Sequence, residues 1–136
     1  MVRFRFHIAL ALAALLLAAT PRVDIVGFDA KSQGSNIKVT WRAAVETDVV
    51  AYVVERKTRY DREFQRAHEK PIAAHGPNKP YVFEDKNVYK TAADEVAYRL
   101  RVSFTDGSFH VQEPVKTNYT TTAIRRTWGS IKAMFQ

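Results

Sequence analysis

Two histidines seven positions apart, His68 and His75, are by residue type the best candidates for holding a metal or moving a proton. A zinc site needs three or four converging ligands, with Asp or Glu as a possible third, and Glu69 is the nearest acid. The stretch between them is polar and contains Pro71, so both rings are expected in solvated loop and no metal site is assigned. His110 alternates with Phe109 and Val111 and is expected to point outward. Acid pairs occur at Glu84-Asp85 and Asp94-Glu95, beside strand ends. Paired carboxylates do acid–base work when burial splits their pKa values, and acids at such junctions are expected to be solvated. No Gly-rich phosphate loop, nucleophile elbow or metalloprotease helix pattern occurs, and the absence of cysteine removes thiolate chemistry and disulfides alike. The sequence reads as non-enzymatic, with no cofactor.

A sharper pattern lies near the end of the chain. Ile124, Trp128, Ile131 and Phe135 recur at spacings of four, three and four, one side of a helix. Arg125, Arg126 and Lys132 fall away from that stripe. A basic amphipathic helix bearing a large aromatic suits a groove on a protein partner or an anionic membrane surface, so these seven residues are the expected principal binding site. The competing expectation is a tail packed on its own domain or left without a stable helix, since Gly129 weakens one by about 1 kcal/mol. A second candidate surface is the outer face of the sheet carrying residues 49–57 and 95–104. Val49 and Val53 are expected to be exposed there beside Arg99 and Arg101, with Glu55 able to pair across strands. Asn118-Tyr119-Thr120 has the form of a glycosylation acceptor, but such triplets arise by chance in a Thr-rich stretch and no role is given to it.

These side chains must be positioned by strands. Alternating apolar and polar residues, the mark of half-buried strands, predict strands over Val23–Ala30, Ile37–Arg42, Val49–Lys57, Tyr81–Glu84, Glu95–Phe104 and Ser108–Val115, with a short one near Phe64–Ala67. Gly34 is expected to supply a positive φ in the first turn, and Asp106-Gly107 is a hairpin signal. Ile72–Pro80 contains Pro77 and Pro80, and proline cannot donate to a ladder, so it is expected as edge strand or loop. The inward set is Ile37, Val39, Trp41, Val50, Tyr52, Val54, Tyr81, Phe83, Val96, Tyr98, Leu100, Val102 and Phe104, an aromatic-rich core. The fold class is therefore all-β, a two-sheet antiparallel β-sandwich.

Val39-Thr-Trp41, Glu46-Thr-Asp48, Tyr52-Val-Val-Glu-Arg56 followed by Phe64, Tyr81-Val-Phe-Glu-Asp85, Tyr98-Arg-Leu100 and Phe104-Thr-Asp-Gly107 appear in this order. The stretch from Val23 to Val115 thereby resembles the fibronectin type III-like sandwich found in secreted and surface proteins of Bacteroidetes-type bacteria. The resemblance implies an interaction module, a buried Trp41, and a Tyr98 hydroxyl returning to a loop. Function lives in sites grafted on such folds and not in the fold itself.

Length and charge set the remaining bounds. The 136 residues suit one sandwich domain. Arg3 and Arg5 precede an apolar run from Ile8 to Ala19, shorter than the roughly 20 residues that cross a bilayer. This is the pattern of a secretory signal peptide, with cleavage expected near Ala19 and the product in the periplasm or on the outer cell surface. The expected organisation is a signal peptide over 1–19, a sandwich over 20–115 and a basic tail over 116–136. Without Arg3 and Arg5, 19 basic residues face 14 acidic ones. Four of the 19 follow Val115, which leaves the sandwich near +1 and the tail at +4. A near-neutral domain with a basic tail does not read as nucleic-acid binding. The expected function is an accessory or structural subunit that docks through its tail onto a larger assembly. The alternative is a free-standing carbohydrate- or peptide-binding module, for which Tyr60 and Tyr89 are the clear loop aromatics.

Overall fold

The computed structural model of the chain describes residues 20–119 and Met134. Among the described residues nine strands form two antiparallel sheets. The smaller has the order β1-β2-β6, from β1 (Val23–Gln33), β2 (Asn36–Glu46) and β6 (Pro80–Asp85). The larger has the order β4-β3-β7-β8, from β4 (Gln65–Arg66), β3 (Val49–Thr58), β7 (Glu95–Phe104) and β8 (Phe109–Val111). β5 (Ile72–Ala73) adds to β3, and β9 (Val115–Asn118) adds to β7. The two sheets bury one core between them, a sandwich of the expected class.

Alternation places the core. Ile37, Val39 and Trp41 from β2, Tyr52 and Val54 from β3, Tyr81 from β6, and every second residue of β7 from Val96 to Phe104 are buried. Trp41 is 2% exposed and stacks on Tyr81 at 5.2 Å and 3°, with Tyr52 tilted against both rings. Aromatic pairs of this kind contribute beyond their buried area.

Several boundaries differ from the sequence expectation, each for a backbone reason. β1 pairs as far as Gln33 with Asn36, so the first turn shrinks to Gly34-Ser35, and Gly34 has the expected positive φ of 60°. The polar run Lys31–Gln33 is strand because ladder bonds are made by the backbone whatever the side chains are. The single strand expected over Ser108–Val115 is two, since Pro114 lacks the N–H that a continuous ladder needs. β9 pairs with β7 through Asn118, and Tyr119 is buried with its hydroxyl donating to the Ser35 carbonyl at 2.6 Å. The sandwich thus continues past Val115 and takes Lys116 with it. Val50, expected inward, is 51% exposed, because a bulge between Val49 and Ala51 turns Val49 toward the core in its place.

The start of the sandwich is fastened to the β7–β8 hairpin. Arg22 lies over the Phe104 ring at 3.9 Å and donates to Asp106 and Ser108 at 2.9 and 2.8 Å. The Asp106 carboxyl is held down to about 2, first by the Ser108 hydroxyl and N–H and then by Arg22.

Candidate functional site

Asp85, at the end of β6, is 1% exposed, where a solvated acid was expected. A buried carboxylate persists only with partners, and Asp85 has three. Its Oδ2 accepts from the Tyr98 hydroxyl at 2.7 Å and from the Arg56 guanidinium, and its Oδ1 accepts from the Asn87 N–H at 3.2 Å. Burial, reinforced by the Asp85 charge, pushes the Tyr98 hydroxyl well above the ordinary tyrosine value. The implied return of Tyr98 toward a loop is thus made to a carboxylate.

A second carboxylate closes the other end of the core. Glu46, at the end of β2, accepts from the Tyr52 and Tyr81 hydroxyls at 2.7 Å each through Oε2, and from the Gly76 N–H at 2.8 Å through Oε1. Burial first, then Glu46, raises Tyr52 and pushes Tyr81 up to about 12. His75 is exposed, but its ring lies on Tyr81 at 3.7 Å and its N–H donates to the Tyr81 hydroxyl.

His68 is not a solvated loop residue. Its Nε2 accepts from the Val54 N–H at 2.9 Å, and its Nδ1 donates to the Lys70 carbonyl at 2.6 Å. This pairing fixes the neutral tautomer with the proton on Nδ1. The ring continues the β3 ladder where β4 has ended, beside the Ala67 N–H to Val54 carbonyl bond at 2.9 Å. Neither ring nitrogen keeps a free lone pair for a metal. Among the described residues no three His, Asp or Glu side chains converge as a metal site. His110 is exposed, as expected, and so are Asp94 and Glu95.

Outside the core, the larger sheet presents a cationic face. Alternation opposite the buried residues points Val53, Glu55 and Lys57 of β3 and Ala97, Arg99 and Arg101 of β7 away from the core. Arg99 Nε donates to Glu55 at 2.6 Å while its guanidinium lies over Phe64 at 4.1 Å. Arg101 lies over Phe109 at 3.9 Å. Arg66 stands opposite Glu55 from the other side and donates to the Glu69 carbonyl. Lys57 and Lys116 flank Ala97 in register, one on β3 and one on β9. The cross-strand pairing of Glu55 is therefore present, and Arg99 and Arg101 share one face. Their expected apolar companions are not surface residues. Val53 is 8% exposed in the middle of a strand with neighbours on both edges, and Val49 packs against the core because of the bulge.

Where this face meets the end of the sandwich, an open groove of about 1170 Å³ is lined by Lys57, Phe64, Tyr89, Ala97, Lys116 and Tyr119 among others. Tyr89 is 49% exposed and Tyr60 is likewise outside, as expected of loop aromatics. Ion pairs Arg59–Asp94 at 3.7 Å and Lys116–Glu95 at 3.6 Å edge the groove. Ile124, Arg125, Arg126, Trp128, Ile131, Lys132 and Phe135 lie outside the described residues, as does segment 1–19.

The chain matches no family model, no curated protein and no solved structure. Sequence reading missed Glu46, Asp85 and Arg56 because their partners lie between 6 and 35 residues away. It missed Lys57, Arg66 and Lys116 as members of the face because cross-strand neighbours are set by register, which no single strand displays.

Proposed function

We propose that the protein is an exported, non-enzymatic interaction module, an accessory or structural subunit that docks onto a larger periplasmic, membrane-associated or surface assembly. One contrast carries this reading. Asp85, Glu46 and His68 are closed by partners inside the fold, whereas Lys57, Arg66 and Arg101 on the outer face have no ion pair among the described residues. Chemistry needs free, converging groups; recognition needs a stable scaffold with an open surface. The fibronectin type III resemblance belongs to the same proposal, supported by Tyr98 near the start of β7.

Docking through the tail rests on the stripe Ile124, Trp128, Ile131 and Phe135 with its flanking arginines. Pulldown from native membranes with the full chain and with a chain ending at Thr122 tests it. Loss of the partner on truncation, with the melting temperature kept, is the expected result. Unchanged recovery with a lowered melting temperature would place the tail on its own domain and remove the docking reading. Export is tested by intact mass of the released product, expected to begin near Thr20; a product that keeps Arg3 and Arg5 would make the segment an anchor.

A carbohydrate- or peptide-binding module is the second reading, favoured by the groove beneath the exposed Tyr89. Glycan-array binding abolished by Tyr89→Ala would support it over tail docking.

A further inference from the structure

The cations of the larger sheet are not scattered; they fall in three consecutive rungs. The first holds Lys57 and Lys116 on either side of Ala97, the second Arg66 and Arg99 on either side of Glu55, and the third Arg101 between Val53 and Val111. The β7 members of these rungs, Ala97, Arg99 and Arg101, are every second residue of that strand. Alternate residues of a strand lie roughly 6.6 Å apart. Within the rungs Glu55 is the only acid, it is buried, and Arg99 already holds it. Two of the guanidiniums are laid against rings, Arg99 on Phe64 and Arg101 on Phe109, which orients their planes before any ligand arrives.

The geometry points to this ladder as the docking surface for an extended acidic segment of a protein partner, with carboxylates at every second residue facing the three rungs. This inference rests on the interaction-module reading and names the chemistry of the partner. An extended peptide repeats its side chains on one face at the same spacing as β7 does, so three successive carboxylates meet three successive rungs without strain. A guanidinium presents paired N–H donors that match a carboxylate. Arg101 has every nitrogen free of protein acceptors among the described residues, and Arg99 commits only its Nε. An acidic glycan fits less well, because stacking of a sugar needs an open aromatic face and the two rings of this patch carry guanidiniums.

The test is fluorescence anisotropy with the full chain and two labelled dodecapeptides of one composition, (Glu-Ser)6 and the isomer (Glu-Glu-Ser-Ser)3, in which glutamates come in adjacent pairs. The alternating peptide is expected to bind at least several-fold more tightly than the isomer, and to weaken as salt rises. The double variant Arg66→Glu with Arg101→Glu should lose at least tenfold in affinity. Arg99 is left intact because it holds the buried Glu55. If the charge reversal lowers the melting temperature, Arg66→Gln with Arg101→Gln replaces it, with the same loss expected. Equal binding of the two peptides, or unchanged binding by a folded double variant, overturns the proposal. So does tighter binding of a heparin-derived oligosaccharide of equal charge or of phosphatidylserine vesicles. Should the membrane pulldown still recover its partner with the double variant, the ladder fails while the interaction-module reading stands.

Discussion

Trp41 combines a large buried ring system with an indole N–H that has no hydrogen-bond partner among the described residues. The two properties pull in opposite directions. Removing the ring leaves Tyr81 and Tyr52 without the face they pack on, so Trp41→Ala is expected to cost about 3 to 5 kcal/mol. Trp41→Phe keeps most of the stacking on Tyr81 and deletes a buried donor that costs about 1 to 3 kcal/mol to leave unpaired, so it is expected to cost under about 1.5 kcal/mol. Urea denaturation of the two variants measures both values. An alanine variant within about 0.5 kcal/mol of the parent, the range of neutral surface changes, would contradict the strand register. His68 belongs to the same scale. Its type suggested a ligand, yet its two nitrogens stand in for a missing strand residue, and nothing in its sequence neighbourhood announces that Val54 would be its donor.

At the scale of elements, Asp85 joins three strands: its own β6, β3 through Arg56, and β7 through Tyr98. Arg56→Met leaves a buried carboxylate without its cation, and breaking such a pair typically costs about 3 to 5 kcal/mol. The same change at Arg59, whose pair with Asp94 is exposed, is expected to leave stability close to the parent's, since exposed ion pairs contribute little. Equal effects of the two in urea would mean that Asp85 is not the tie between the sheets. The strands themselves were legible because apolar residues alternate from Ile37 to Trp41 and from Val96 to Phe104, and alternation follows directly from the pleat. The bulge between Val49 and Ala51 was not, since positions 49 and 50 are both valine and periodicity cannot say which one is extra. The rungs of cations were legible only in part, as Arg99 and Arg101 share a strand while Lys57, Arg66 and Lys116 join them through strand pairing that brackets other residues of the chain and depends on register.

Across the whole molecule, two carboxylates cap opposite ends of the core, Glu46 beneath Tyr52 and Tyr81, and Asp85 beneath Tyr98. Burial first, and the neighbouring acid second, raises all three hydroxyls, Tyr81 to about 12, and the same two causes raise Tyr119. A raised folded value makes a definite prediction. Below about pH 10 these tyrosines are neutral in both folded and unfolded chains, so their contribution is fully present. Above about pH 10 the unfolded chain releases its phenolic protons while the folded chain keeps them, and stability falls by about 1.4 kcal/mol per pH unit for each such tyrosine. For Tyr81 the loss ends as the pH passes about 12, where the folded chain ionises as well. Urea midpoints measured from pH 8 to pH 11.5 are expected to be level with respect to this term up to about pH 10 and to drop steeply above it. Tyr98→Phe should have a shallower drop, because phenylalanine has no proton to release in the unfolded chain. Absorbance at about 295 nm gives an independent reading: phenolate from the buried rings should appear together with unfolding. Smooth ionisation of all six tyrosines in a chain that keeps its far-ultraviolet dichroism would mean that the hydroxyls are open to solvent and that the two carboxylate caps do not close the core.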